Sequence, residues 1–310
     1  MKSIGGYFEL EFNKGEHYHK DAIKLNTARS CFEYILRARG YQKVYMPYYT
    51  CPVMFHLLLK LGIQYSCYNI NESFEITKYP ILQDNEAILY TNYFGLKQRY
   101  VEILAIKYGS KLIVDNAQAF YSPRINCIDT FYSARKFFGV PDGAYLYSDV
   151  NLHIEIPQDI SLSRVAHLLK RIDYSAEEGY QDFKKSEQSL DQSPILLMSK
   201  LTESILTNVD YEQVAKVRRK NYELLNKALQ NRNQISLDLC QDYVPMVYPY
   251  VGEYIDLRNR LIANRVFVPK YWENDVEVAE FESALSQRLI PLPIDQRYSD
   301  QEMNLIISLI

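Results

Sequence analysis

A lysine and an aspartate each follow a short strand pattern in the first half of the sequence. Asp115 ends the run Lys-Leu-Ile-Val-Asp, and Lys136 comes shortly after the strand pattern Thr130–Ser133. The carboxyl ends of parallel strands meet at one edge of a sheet, so both side chains can face one crevice. There, a lysine of lowered pKa can form a Schiff base, and an aspartate can hold a ring nitrogen protonated. Taken singly, each residue also fits a plainer interpretation, a surface lysine and a turn aspartate.

The elements that must position these two residues alternate between extended and helical patterns. Thr27 is expected to cap an amphipathic helix that ends at Gly40, and further helices are expected at Val53–Leu61 and Arg99–Tyr108. The strand patterns are Lys43–Met46, Gln64–Tyr68, Ile88–Thr91, Lys111–Asp115, Thr130–Ser133 and Ala144–Tyr147. This alternation predicts βαβ units and an α/β fold with a mainly parallel, buried sheet.

The pattern changes after about Ser148, where we expect a smaller α+β unit. The polar stretch Ser175–Ser193 is predicted to be a mobile loop. Helices are predicted at Arg164–Tyr174, Pro194–Thr207, Asp210–Leu229, Tyr254–Asn264 and Ser299–Ile310, and strands at Val244–Tyr250 and Val266–Pro269. The resulting domain prediction is a large domain over residues 1–205 and a small C-terminal domain over residues 206–310.

Composition excludes several classes of protein. The 310 residues carry a net charge of −3 and are 47% hydrophobic, which argues against intrinsic disorder and against a general nucleic-acid binder. No signal peptide and no apolar run long enough for a membrane helix is apparent, so no membrane partner is expected. The five cysteines form no C-x-x-C pair, which is typical of reduced thiols in a cytoplasmic protein.

Common catalytic motifs are absent from the sequence. It contains no G-x-G-x-x-G, P-loop, H-E-x-x-H or G-x-S-x-G. His17 and His19 have no third ligand nearby in the sequence, so we expect no metal site.

The residues around Asp115 and Lys136 resemble a known family. The segments Asp115-Asn116-Ala117-Gln118, Ser133-Ala134-Arg135-Lys136 and Asp142-Gly143-Ala144 are similar to the cofactor-binding core of the DegT/DnrJ/EryC1/StrS sugar aminotransferases. This resemblance implies pyridoxal 5'-phosphate (PLP) as cofactor and PLP-dependent fold type I. It also implies that Lys136 forms the Schiff base, Asp115 contacts the pyridine nitrogen and Gln118 lies beside the ring and its 3-oxygen.

Further segments extend the resemblance. Asn26–Ser30 is similar to the family's phosphate-binding segment, which implies that Thr27, Ala28, Arg29 and Ser133 hold the cofactor phosphate; a helix start attracts anions. Pro47–Cys51 resembles the loop with the ring-stacking aromatic residue. That residue aligns with Cys51, so Tyr49 or Tyr48 is expected to take its place.

Two residues are candidates for substrate contacts. Tyr93 lies in Asn92-Tyr93-Phe94-Gly95, which resembles the family's glycine-ended strand, and Arg297 lies in the last family-like segment, 292–299. An arginine offers a planar fork to a carboxylate or phosphate. For Arg297 a surface salt bridge remains the simpler interpretation.

The resemblance implies an aminotransferase that moves an amino group from an amino acid, such as glutamate, to a keto-sugar. The sugar is expected to be nucleotide-linked and the pathway to make surface polysaccharide or a related sugar product. It also implies a homodimer with the active site at the subunit boundary. Two alternatives stay open: a PLP enzyme of another reaction type, such as a dehydratase or lyase, and a catalytically inactive binding or scaffold protein. The apparent lack of an Asn-x-Arg segment favours the inactive form, and the Lys136–Asp115 pair disfavours it.

Overall fold

The computed structural model describes residues 4–13, 15–235, 237, 239–240, 242–252, 256–272 and 280–310. Its larger sheet has seven strands: β1 (Ile23–Leu25), β2 (Lys43–Pro47), β3 (Gln64–Tyr68), β4 (Glu86–Thr91), β5 (Leu112–Asn116), β6 (Asp129–Ser133) and β7 (Ala144–Tyr147). Their spatial order is β1-β7-β6-β5-β4-β2-β3. The neighbouring pairs from β3 to β6 are parallel, whereas β7 and β1 are added antiparallel. The prediction of a mainly parallel sheet is confirmed.

The helices found in the described residues are α1 (Ala28–Arg39), α2 (Pro52–Leu61), α3 (Gln98–Tyr108), α4 (Ala166–Asp173), α5 (Ala176–Asp191), α6 (Lys200–Leu206), α7 (Tyr211–Leu229), α8 (Leu257–Ala263), α9 (Glu280–Arg288) and α10 (Asp300–Leu309). A second sheet pairs β8 (Val247–Val251) antiparallel with β9 (Leu289–Pro293). None of the helices in this described part is long and apolar enough to cross a membrane.

Alternation along the central strands sends side chains into two apolar cores. In β4, Leu89 packs with the α1 and α2 side, whereas Ile88 and Tyr90 join the core on the opposite face. Successive side chains of a strand point to opposite faces, so a sheet covered on both faces needs apolar residues at consecutive positions. The core that contains Ile88 and Tyr90 continues into the C-terminal part of the chain through Tyr248 and Leu292. The division into domains 1–205 and 206–310 stays a prediction.

The first helix is built as its sequence predicts. The Thr27 side chain accepts a hydrogen bond from the Ser30 N–H, and Gly40 ends the helix in the left-handed conformation at φ 66°. The apolar positions Cys31, Phe32 and Ile35 are buried against the sheet.

The prediction of a mobile loop over Ser175–Ser193 was wrong. Residues 176–191 form α5, whose N-cap Ser175 accepts a hydrogen bond from the Glu178 N–H, with acidic residues in the first turn. Helix α5 packs mainly on α4, so closely that a Cβ at Gly179 would lie 3.0 Å from the His167 carbonyl oxygen, and its Glu187 pairs with Arg135. Helix propensity and capping outweigh the lack of an apolar stripe here.

Other predicted elements differ from the structure in extent, and one of them is not formed. The helix expected at Pro194–Thr207 exists only as α6, because Leu197 is extended and bridges Leu25 on the outer edge of β1. Residues 266–269 form no strand; Val266 instead donates its N–H to the Leu261 carbonyl at the end of α8. The strand expected at Val244–Tyr250 begins three residues later, at Val247. For the helix predicted at Tyr254–Asn264, Tyr254 lies outside the described residues, and the structure gives α8 over Leu257–Ala263.

His19 makes the fold sensitive to acid. Its side chain is 5% exposed, its Nε2 lies 2.9 Å from the Phe120 carbonyl, and burial lowers its pKa to about 4. A histidine in the unfolded chain titrates near pH 6.5. Between pH 6.5 and pH 4 the unfolded chain therefore binds a proton at His19 that the folded chain does not bind. The free energy of unfolding should therefore be highest above pH 6.5 and should fall by about 3 kcal/mol as the pH drops to 4. This figure takes about 1.4 kcal/mol for each unit of difference between the two pKa values.

Urea denaturation of the wild-type protein and His19→Gln at pH 7 and pH 4 measures this linkage. The variant should lose less stability between the two pH values than the wild type. His153→Gln, at an exposed histidine, is the matched control and should keep the wild-type difference. Equal pH dependence in wild type and His19→Gln would contradict the assignment.

Candidate active site

Asp115 lies at the carboxyl end of β5, between Thr91 of β4 and Phe131 of β6 in register. Its side chain is 4% exposed, and its Oδ1 accepts a hydrogen bond of 2.8 Å from the Ala117 N–H. Burial raises the pKa of this carboxyl to about 6, while the Ala117 N–H and the charge of Lys136 pull it down. The carboxyl is therefore mostly ionised at neutral pH, and its site favours a cation.

Lys136 closes the short 3₁₀ turn Ala134–Lys136 that follows β6, the strand next to Asp115. The side chain is exposed to solvent at its surface. The protein around the amine nevertheless desolvates it, which lowers the pKa of Lys136. Cys51 and Asp115 act in the opposite direction, and the neighbouring Arg135 adds to the lowering. A lysine of lowered pKa supplies more of the free amine that reacts with carbonyl groups.

Gln118 is fixed by a strained turn that follows β4. Its Oε1 accepts a hydrogen bond of 2.9 Å from the N–H of Phe94, which has φ 59°. Gly95 follows at φ 76°, and a Cβ there would come within 3.1 Å of the Gln118 carbonyl oxygen. The side chain is 3% exposed, and no described residue accepts a hydrogen bond from its Nε2.

The start of α1 and the end of β6 lie at the same level of the sheet. Leu25 of β1 pairs with Ala144 of β7, and Ala144 pairs with Ser133 of β6. The backbone continues this row, because Gly143 donates to the Asn26 carbonyl at 2.6 Å and Ala134 donates to the Gly143 carbonyl at 3.0 Å. Two strand spacings of about 4.8 Å thus separate Leu25, two residues before the Thr27 cap, from Ser133.

This row, with Thr27–Arg29 at one end and Ser133 at the other, is a candidate anion site that we call the anion cup. The first N–H groups of a helix have no acceptor within the helix, which at α1 includes those of Ala28 and Arg29. Ser133 is 7% exposed, and no described side chain or backbone group bonds its hydroxyl. The sequence-predicted residues Thr27, Ala28, Arg29 and Ser133 are therefore brought together.

The Arg29 side chain is engaged by α5. It donates to the Leu190 carbonyl and lies 3.5 Å from the Asp191 carboxylate, both at the end of that helix. Arg135 makes a similar contact with Glu187 of α5. Helix α5 is thus bound beside the cup, and Arg29 offers the cup its backbone N–H.

Tyr49 and Tyr93 pack against each other below the β2–α2 loop. Tyr49 is 1% exposed, its hydroxyl donates to the Tyr271 carbonyl at 3.1 Å, and the Trp272 ring lies 5.0 Å away. Tyr93 is fully buried and its hydroxyl donates to the Tyr49 carbonyl at 2.7 Å. The structure gives both tyrosines a packing role, so ring stacking by Tyr49 and substrate contact by Tyr93 stay predictions.

Arg297 is paired with Asp295, two residues away. Its Nε and Nη2 lie 2.7 and 2.9 Å from the two carboxylate oxygens, and its side chain is 53% exposed. The salt-bridge interpretation describes this geometry, and a substrate role for Arg297 stays a prediction.

Sequence analysis did not assign two residues that the structure places around Lys136. Cys51, the N-cap of α2, lies close enough that Lys136 lowers the pKa of its thiol while burial raises it. Arg218 of α7 is 2% exposed and donates to the Phe137 carbonyl. The sequence does contain a sign that Arg218 is buried: it lies on the apolar stripe of α7, four residues from Val214 and four from Tyr222.

No family model and no curated protein sequence matches the chain. Several solved structures do match the chain. The PLP form of Spr1654 from Streptococcus pneumoniae, described as a sugar aminotransferase, is 15% identical with a TM-score of 0.65 over 93% of this chain and 85% of that chain. A DegT DnrJ EryC1 StrS aminotransferase from Brucella abortus is 14% identical, with a TM-score of 0.61 over 93% and 84%. ColD, a GDP-4-keto-6-deoxymannose-3-dehydratase with bound GDP-perosamine, is 13% identical, with a TM-score of 0.63 over 93% and 87%.

The chain has PLP-dependent fold type I. The predicted fold class, a mainly parallel α/β sheet with a smaller α+β part, is thereby confirmed. Identities of 13–15% make this likeness one of fold. Because one fold carries many reactions, the function is argued from the residues of the site.

Proposed function

We propose that the chain is a PLP-dependent aminotransferase that moves an amino group from an amino acid to a keto-sugar. One observation carries the proposal: Asp115, Gln118 and Lys136 converge at the carboxyl ends of β4–β6, beside the anion cup. In open α/β sheets this edge is where ligands bind. A buried carboxylate and a lysine of lowered pKa also match the chemistry that a carbonyl cofactor needs.

The groups left without protein partners match the polar atoms of PLP. Within the described residues, Asp115 Oδ2, Gln118 Nε2 and the Ser133 hydroxyl have no hydrogen-bond partner. They would take the pyridine N–H, the ring 3-oxygen and a phosphate oxygen, with the N–H groups at the start of α1 on the phosphate. The residues therefore fit the cofactor.

Each of these residues then has a task. PLP, when bound, supplies an electron sink for reactions at the α-carbon of an amino acid. The ionised Asp115 keeps a proton on the ring nitrogen through a charge-assisted hydrogen bond. Lys136 would hold the cofactor through its carbonyl carbon, and its amine would move a proton at the α-carbon of the amino acid as general base and acid. Gln118 orients the ring, and the cup anchors the phosphate.

The absorption spectrum of the protein with added PLP tests this proposal. We expect a visible band in the wild type that is absent in Lys136→Ala, because in this proposal the Lys136 amine binds the carbonyl covalently. Lys216→Ala, at an exposed lysine of α7, is the matched control and should keep the band. A wild-type protein that never acquires the band would overturn the PLP assignment.

Glutamate addition separates the reaction types. Loss of the visible band with release of 2-oxoglutarate supports the first half of amino transfer with glutamate as donor. A dehydratase is the second candidate, because ColD, which has the same fold, is one. A band that glutamate leaves unchanged, with turnover of a keto-deoxysugar nucleotide, would favour that candidate. A protein that binds PLP and turns over neither would indicate the inactive scaffold.

We also propose a homodimer. Supporting it, the N-terminal segment 4–12 is exposed throughout, with Tyr7 and Phe8 at 99% and 92%, and the α4–α5 pair exposes Ile172 at 80% and Tyr174 at 75%. Apolar patches of this kind are typical of surfaces that meet another protein. Light scattering at micromolar concentration checks the oligomeric state, and a monomer would contradict the proposal.

A further inference from the structure

We propose that Arg218 is a positioning residue for Lys136, acting through the backbone carbonyl of Phe137. This inference rests on the proposed function, in which Lys136 binds the cofactor. Arg218 belongs to α7, whereas Phe137 directly follows Lys136 at the end of its turn. The contact therefore connects the C-terminal part of the chain to the reactive lysine.

The guanidinium of Arg218 is buried and surrounded by neutral groups. Its Nη1 donates to the Met246 carbonyl at 2.9 Å, its Nη2 to the Phe137 carbonyl at 3.3 Å and its Nε to Gln296 Oε1 at 3.1 Å. The charge also lies 4.5 Å from the centre of the Phe137 ring. Among the described residues no carboxylate forms an ion pair with it; the nearby Asp295 is held by Arg297.

Burying a cation in this way costs free energy, which its contacts must offset. Burial lowers the pKa of Arg218 to about 10, and Asp295 and Tyr121 act against that shift while Arg297 adds to it. A neutral residue would fill the space at lower cost. What the charged side chain does provide is a rigid set of donors, aimed at the carbonyl groups just before β8 and at the end of the Lys136 turn.

The Phe137 carbonyl is held from two directions. Besides Arg218, Gln296 donates to it through Nε2 at 2.7 Å, so both lone pairs of the oxygen are used. On its other side the Phe137 N–H donates to the Ala134 carbonyl at 3.0 Å, which closes the turn. Both peptide groups of Phe137 are thus fixed, and with them the direction in which the Lys136 side chain leaves the turn.

Neither Arg218 nor Gln296 is among the charged and titratable groups that shift the pKa of Lys136. Those groups are Asp115 of β5, Cys51 at the start of α2 and Arg135 of the lysine's own turn. A change at residue 218 or 296 therefore reaches Lys136 through the position of its backbone. Gln296 makes this distinction testable, because its side chain donates to the same carbonyl and carries no charge.

The test measures the pKa of Lys136 in the protein without PLP. Reductive methylation with formaldehyde and cyanoborohydride is followed from pH 6 to 11, and peptide mass spectrometry reports the rate at Lys136. In Gln296→Ala and Arg218→Lys a loosened turn should expose the amine, and its pKa should rise toward the ordinary value. A rise of one unit lowers the methylation rate about tenfold at a pH below both values.

Arg219→Lys is the matched control, since Arg219 is the next residue and donates to the Tyr243 carbonyl at 2.8 Å. Its Lys136 should titrate as in the wild type. Far-UV circular dichroism establishes that each variant is folded; if Arg218→Lys is not, Gln296→Ala decides alone. A folded Gln296→Ala whose Lys136 keeps the wild-type pKa overturns the positioning role. Absence of a visible band with PLP would instead overturn the proposed function, because the methylation readout uses no cofactor.

Discussion

Asp115→Asn should lower the rate of amino transfer about a hundred- to thousandfold, the range found when one preorganised electrostatic contact is removed. The amide has almost the same shape, but it cannot keep a proton on the cofactor's ring nitrogen through a charged hydrogen bond. Lys136 is unaltered, so the variant should still give the visible band with PLP. Single-turnover kinetics with glutamate measure the rate.

The pH profile gives this experiment a second readout. Burial raises the pKa of the Asp115 carboxyl to about 6 in the protein without PLP, and the charged ring N–H would lower it again. Wild-type activity should therefore fall at a pH below 6, where the carboxylate is neutralised. Asp115→Asn has no such group and should lack this acidic limb. Asp84→Asn, at a fully exposed aspartate, is the control and should resemble the wild type in both respects. A wild-type rate in Asp115→Asn would remove Asp115 from the mechanism.

Arg39→Ala should cost about 3–5 kcal/mol of folding free energy, because it leaves a buried carboxylate without its cation. Asp129 at the start of β6 is fully buried, and its two oxygens lie 2.8 and 3.1 Å from Arg39 Nε and Nη2. Ser148 donates to the same carboxylate at 2.7 Å, which alone cannot neutralise it. Urea denaturation at pH 7 measures the loss.

Two further variants separate charge from packing at this position. Asp149→Ala removes only the exposed carboxylate partner of Arg39 and should change stability little. Adding Asp129→Asn to Arg39→Ala removes the stranded charge and should recover part of the loss. If Arg39→Ala alone is as stable as the wild type, the ion pair does not hold β6 in place.

Local signals predicted the elements that carry the site. The cap at Thr27, the glycine ends of α1 and α2 and the carboxylate that closes β5 are set by residues within a few positions of one another. The site residues from Thr27 to Lys136 come together because each lies at a strand end or a helix start. A parallel sheet then brings those ends to one edge.

The elements that depend on tertiary contacts were not predicted from the sequence. Leu197 lies in an apolar run that suits a helix, but the unpaired edge of β1 draws it into an extended bridge. Strand β9 was missed because it contains Pro291 and Pro293, residues that interrupt most strands. Pro291 lies opposite Pro249 in a sheet of only two strands, where a missing N–H can face outward. Arg218 reaches the Lys136 turn through a carbonyl 81 positions earlier in the chain, a contact that no local pattern predicts.

The antiparallel pairing of β1 with β7 sets the order in which the chain can mature during synthesis. Residues 23–25 leave the ribosome early, but their partner strand, 144–147, follows more than one hundred residues later. The Phe137 carbonyl forms its hydrogen bonds later still, because their donors are at positions 218 and 296. A nascent chain therefore carries the start of α1, and even Lys136, well before either is locked in place. We expect tight retention of the cofactor only once nearly the whole polypeptide has been released.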